Sequence, residues 1–250
     1  IPWDVVKIMS LISNLKLMST SKINFITFSG PPSSGKTSVI MKIIESFLSK
    51  WIKVWVVKMD CLVTDDDKIY AELWIPVRKA LSANICPDHF FVSNVEEIFE
   101  WGKSEWVDVL ISESAWLCNR CSPYIKDIKA ICVIDNLSGI NTPKKVWPML
   151  KLADIVVVTK WDIVSQAERE VFVSRIKSVN PKAVVMNINW LNGQWAYELS
   201  NLLLESREEL ESLEGMKLRF SMPTAVCSYC LWETRIGKRF QMWNVRKVKL

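Results

Sequence analysis

The chain has 250 residues, half of them apolar, and a net charge of +5, enough to bury one α/β core with a small appendage. Its longest apolar runs, such as Ile131 to Ile134 and Ile155 to Val158, fall far short of the roughly 18 residues of a membrane span, so no spanning helix is predicted. Seven cysteines, an odd number with no export signal, fit a reducing compartment where thiols bind metal or pack, and a cytoplasmic location is expected.

In chain order, residues 1–22 are expected to form an amphipathic helix, because Asp4, Lys7 and Lys16 break up what would be the apolar centre of a signal peptide. Buried strands are predicted at Ile23 to Ser29, Lys53 to Lys58, Val107 to Ile111, Ala130 to Ile134, Asp154 to Thr159 and Ala183 to Met186. Ser38 to Leu48 is apolar at 39, 40, 43, 44, 47 and 48, which is helical spacing. Ser93 with Glu96 reads as a capping box opening a helix over Asn94 to Trp101. Gln166 to Val179 and Tyr197 to Leu213 keep the helical period. Strand and helix alternating over residues 23–214 predict a mostly parallel α/β sheet with helices on both faces, whose ligands bind at the strands' carboxyl ends. Residues 215–250 form a basic appendage with a cysteine pair. Arg235, Lys238, Arg239, Arg246, Lys247 and Lys249 lie there with no acidic residue among the last sixteen. They are read as a solvated tail, and no nucleic-acid partner is expected.

Gly30-Pro-Pro-Ser-Ser-Gly35-Lys36-Thr37 fits the phosphate-loop pattern, directly after a strand and before a helix. Backbone N–H groups of Gly30, Ser33, Ser34, Gly35 and Ser38 and the helix N-terminus are expected around the phosphates of a nucleotide. Lys36 is expected on the β/γ-phosphates and the Thr37 hydroxyl on Mg²⁺. Thr159-Lys160-Trp161-Asp162, after another buried strand, resembles the guanine-reading N/T-K-x-D signature: Asp162 would accept from guanine N1 and N2, and the Lys160 stem would cover the base. Glu113 and Asp60 end strands near the phosphates and are candidates for holding Mg²⁺ or an attacking water. Asp65, Asp66 and Asp67 are read as a solvated switch loop rather than as direct metal ligands.

Cys118-Asn-Arg-Cys121 and Cys227-Ser-Tyr-Cys230 are two C-x-x-C pairs that would close one tetrahedral zinc site if the fold joins them, with redox activity or simple burial as alternatives. Cys86-Pro-Asp-His89 holds the chain's one histidine, a possible ligand pair for nickel, zinc or cobalt, or a structural turn. Cys61 and Cys132 are read as small buried hydrophobes.

These motifs, with Lys58-Met-Asp60, Val133-Ile-Asp135, the Glu113-Ser-Ala run and Asn187 to Trp195, resemble the HypB/UreG/CobW family of P-loop GTPases over about Ile23 to Leu204. The resemblance implies a Mg²⁺-dependent GTPase that couples GTP hydrolysis to dimerisation and to handing nickel, cobalt or zinc to a client metalloenzyme or its assembly protein. It places Asn187 near the base. An alternative is a regulatory nucleotide-binding module with a structural zinc site and little hydrolysis.

The chain departs from that family in composition. It holds 7 Gly and 13 Trp, where average usage gives on the order of 17 glycines at this length. Trp116 stands where the family's Glu-x-x-Gly motif has glycine, and Trp74, Trp147 and Trp195 also stand where turn glycine is expected. An indole at 116 would crowd the phosphate pocket. The pattern is the one expected if UGA codons meaning glycine in the cell were translated as tryptophan.

Overall fold

The computed structural model describes residues 22–62, 64–83, 85–114, 122–206, 208–221, 233–241 and 246–248. The expected N-terminal helix, Trp116 and the two C-x-x-C pairs lie outside them. Seven parallel strands form the sheet, in the order β3-β2-β4-β1-β5-β6-β7. They are β1 (Ile23–Ser29), β2 (Val54–Asp60), β3 (Val77–Leu81), β4 (Val109–Ser114), β5 (Lys129–Asp135), β6 (Ile155–Thr159) and β7 (Val184–Asn187). A short β8 (Glu209–Leu210) pairs antiparallel with the start of β1.

β1 is central and wholly buried. Its side chains alternate between two cores: Ile23 and Phe25 join the cluster built on the 87–104 helix, and Ile26 and Phe28 join the one under the 36–49 helix. Such two-sided burial turns the strand into a nearly continuous apolar run. β1 lies between β4 and β5; the chain leaves β1 for β2 on one side and leaves β4 for β5 on the other, so the phosphate loop leaves the sheet at its topological switch point.

The helices are α1 (Lys36–Ser49), α2 (Asp66–Ala71), α3 (Pro87–Ser104), α4 (Thr142–Lys145), α5 (Trp147–Leu152), α6 (Gln166–Val179) and α7 (Ala196–Glu205). α6 has the predicted bounds and opens on a true capping box between Ser165 and Glu168. The box expected at Ser93 and Glu96 does not form. α3 begins at Pro87, whose missing N–H suits a first helical position, and Ser93 lies inside it, donating back to the His89 carbonyl at 2.8 Å. The helix expected over Tyr197 to Leu213 ends at Glu205, because Glu209 and Leu210 pair with β1 and Leu213 is buried beneath it. The edge strand β3 was not predicted, since exposed Arg78 and Lys79 break its apolar run as edge strands commonly require.

The described residues beyond 215 pack on the same core as β1, with Leu218 and Ile236 in one cluster with Ile23, Phe25 and Val95. Arg219 anchors them. Its guanidinium donates to both Asp154 carboxylate oxygens at 2.8 and 2.7 Å and to the carbonyls of Ile125, Ile128 and Leu152. No lysine can reproduce that fork. Replacing Arg219 with Ala is expected to cost about 2–3 kcal/mol in urea unfolding, with amide protection lost first at Lys217 to Arg219.

Candidate functional site

The turn out of β1 tolerates no side chain. A Cβ at Gly30, where φ is 153°, would sit 2.0 Å from the Val133 carbonyl oxygen. Gly35, at φ 82°, caps α1 in a left-handed conformation. Between them the loop rims a cavity of about 550 Å³, lined by Ser33, Gly35, Lys36, Thr37 and Ser38, with Lys58, Asp60, Asp66, Glu113, Lys160 and Trp190 around it. Lys36 lies across the loop, its ammonium donating to the carbonyls of Gly30 and Pro31 at 3.0 and 2.7 Å. Ser34 is fully buried beneath the loop, its N–H donating to the Pro31 carbonyl at 3.3 Å, and it does not line the cavity.

Glu113 is the hub. It is fully buried within β4 rather than beyond its end, since the strand runs on to Ser114. Its Oε1 accepts from the Lys58 ammonium at 2.6 Å and the Thr37 hydroxyl at 2.8 Å, and its Oε2 accepts from the Tyr70 hydroxyl at 2.7 Å. Asp66 completes the group, accepting from Thr37 at 3.2 Å and ion-pairing with Lys58. Asp66 therefore faces the site, correcting its assignment to a solvated loop, while Asp65 is exposed and Asp67 pairs with Lys79. Asp60 lines the cavity at the end of β2, and its carboxylate accepts from the Cys61 N–H at 2.7 Å.

Burial pushes the Lys58 ammonium toward its neutral form, but Glu113 and Asp66 outweigh that and raise its pKa. Burial, then Glu113, holds the Tyr70 hydroxyl well above its usual range. Lys36 is the contrary case: burial pushes it down to about 8, against the pull of Glu113.

At the end of β6, Thr159 donates to the Ser34 carbonyl at 2.7 Å, tying that strand to the phosphate loop. Lys160, left-handed at φ 54°, runs back along the loop and donates to the Ser33 carbonyl at 2.8 Å. Asp162 is exposed and accepts from the Asn189 side chain at 3.1 Å. Asn189, which sequence patterns gave no reason to single out, organises the facing loop by accepting from the N–H groups of Leu191 and Asn192. Asn187 ends β7 and lines a neighbouring cavity with Trp161 and Trp195.

Cys86 caps α3, and His89 is fully buried one turn into it, with burial lowering the imidazole's pKa. Neither lines the nucleotide cavity. Among the described residues no group of three or more His, Cys, Asp or Glu converges as a metal site. Cys132 is buried, and burial pushes its thiol up to about 12; Cys61 is half-buried beside β2.

Two outcomes follow from these charges. Lys58→Met leaves Glu113 buried without its cation and is expected to cost about 3–5 kcal/mol by urea unfolding. Phosphate binding favours protonated Lys36, so nucleotide affinity is full below about pH 8 and falls as pH rises through that value; calorimetric titration at pH 7 and pH 9 measures it.

The profile of the CobW/HypB/UreG nucleotide-binding domain matches residues 24–187. A Methanocaldococcus jannaschii protein described as uncharacterized is 46% identical over 219 residues, spanning 88% of this chain and 93% of that protein. The urease accessory protein UreG of Yersinia pestis is 28% identical over 205 residues, spanning 76% of this chain and 92% of UreG. In structure, HypB from Helicobacter pylori in complex with nickel aligns at TM-score 0.61 and 19% identity, over 80% of this chain and 93% of that one. Hydrogenase maturation factor HypB from Archaeoglobus fulgidus aligns at 0.57, also 19% identical, over 72% and 90%. The profile's span encloses the phosphate loop, Lys58, Glu113 and Asp162, and with them the chain belongs to the CobW/HypB/UreG family of nucleotide-binding proteins.

Proposed function

We propose that the chain binds and hydrolyses GTP with Mg²⁺ and couples nucleotide state to binding a transition metal for delivery to a client metalloenzyme. The observation that carries this is the convergence on one cavity of Thr37, Glu113 and Lys36 with Lys160 at its far side, two residues before Asp162, which the Asn189 side chain holds at 3.1 Å. Thr37, Asp60, Asp66 and Glu113 line the cavity with oxygen donors, the set a hard cation takes. Mg²⁺ fits there, beside the Lys58 ammonium that already pairs with Glu113 and Asp66, and would neutralise charge on the transferring phosphoryl group. The loop's backbone N–H groups and Lys36 would hold the phosphates, and Asp60 or Glu113 would orient the attacking water. The Asp162 carboxylate would accept from guanine N1 and N2, donors that adenine lacks.

The metal cargo is assigned to Cys118, Cys121, Cys227 and Cys230, with Cys86 and His89 as a second candidate pair. Support for joining the two C-x-x-C segments comes from their described flanks. Ile125 bridges Leu218, Lys217 bridges Arg235, and the Arg219 N–H donates to the Tyr124 carbonyl at 2.8 Å. Support for coupling comes from Tyr124, which follows the first pair and bonds through its hydroxyl to Ser29, the residue before Gly30. The relatives' names, a urease accessory protein and a hydrogenase maturation factor crystallised with nickel, agree with a maturation role and with nickel as one cargo. Nucleotide-dependent dimerisation is carried over from the family resemblance.

A structural zinc clip is the second reading, favoured by the burial of Leu218 and Ile236 in the main core. The test is metal affinity of the purified protein with a non-hydrolysable GTP analogue and with GDP. Delivery predicts affinities that differ at least several-fold, whereas equal affinities, together with unfolding of Cys227→Ser, would leave the clip.

A further inference from the structure

Eight described non-glycine residues have positive φ, and four of them are tryptophans: Trp51 at 60°, Trp74 at 56°, Trp106 at 56° and Trp195 at 68°. A bulky side chain is a steric outlier in that region, because its Cβ crowds the following carbonyl.

Three of the four occupy the same position in the same motif. After α1, the Trp51 N–H donates to the Leu48 carbonyl at 3.0 Å and the Ile52 N–H to the Phe47 carbonyl at 3.1 Å. After α2, Trp74 and Ile75 donate to Ala71 and Tyr70 at 3.0 and 3.4 Å. After α3, Trp106 and Val107 donate to Lys103 and Gly102 at 3.0 and 3.5 Å. Each is a Schellman ending, with an apolar residue following the left-handed one, and glycine is the residue that ending selects. The indoles gain little in return: Trp51 is 95% and Trp74 is 93% exposed. Trp195 enters α7 in the same conformation. Trp147, by contrast, opens α5 without a positive φ, so the backbone does not support it as a glycine position. Nor does it support Trp55 and Trp101, whose rings pack at 4.9 Å.

We propose that Trp51, Trp74, Trp106 and Trp195 are encoded by UGA codons that the source organism decodes as glycine, so that the protein made in its own cells carries glycine at these positions. Gly and Trp together number 20, close to the combined usage expected of the two residues. The consequence reaches the neighbourhood of the nucleotide site, because Trp195 lines the cavity beside Asn187. With glycine there, backbone replaces an indole and that cavity is roomier.

The gene sequence and peptide mass spectrometry of protein isolated from its own cells test this directly. UGA at all four positions, with peptides lighter by the indole-bearing side chain at each, is the expected result. UGG codons, or UGA codons with tryptophan in the peptides, overturn it. Independently, recombinant W51G, W74G and W106G should each raise the melting temperature by about 2–4 °C; unchanged or lowered values would remove the conformational basis. This outcome is separable from the GTPase proposal, since neither the codons nor the melting temperatures depend on nucleotide.

Discussion

A buried carboxylate has to be satisfied, and in this protein the way Glu113 is satisfied organises the site. Its two oxygens take a lysine from β2, a threonine from α1 and a tyrosine from α2. Losing Lys58 would strand charge in the interior, where an unpaired ion is costly, and losing either hydroxyl would leave a buried oxygen short of a donor. Strand order β2-β4-β1 is what brings Lys58 and Glu113 side by side, as register partners across the sheet. The position of the Asp66 segment, and with it one wall of the nucleotide cavity, follows from the same group of contacts.

What was legible in the sequence was what is local. The phosphate loop and Thr159 to Asp162 are short motifs whose geometry is set by neighbouring residues, and central strands are apolar runs because both faces are covered. Lys58, Tyr70 and Asn189 were not legible as site residues, because their roles depend on neighbours across the sheet or across a loop. Asp66 looked like one of three equivalent acids; only α2's placement against Thr37 distinguishes it. β3 was hidden by the charges that protect an edge, and the Ser93 box was a correct tetrapeptide in the wrong place, since Pro87 had already started the helix.

The segment beyond residue 215 shows how little sequence distance matters once an anchor exists. Arg219 reaches backbone carbonyls on both sides of β5 and a carboxylate at the start of β6. The segment after the first cysteine pair and the one before the second are thereby held at the end of the sheet opposite the nucleotide. The residues before the first pair end β4 beside Glu113, and the Tyr124 hydroxyl reaches Ser29 at the end of β1.

The Tyr124 to Ser29 contact sets the mechanical character of any signal passing along that line. Only one peptide bond separates Ser29 from Gly30, and Gly30 has no free volume on the Val133 side. A close-packed contact of this kind transmits displacement with almost no slack. Communication through it would resemble a short, stiff pushrod rather than a hinge, and a shift of a fraction of an ångström at Tyr124 would be felt at the first phosphate-facing backbone group without any domain rotation.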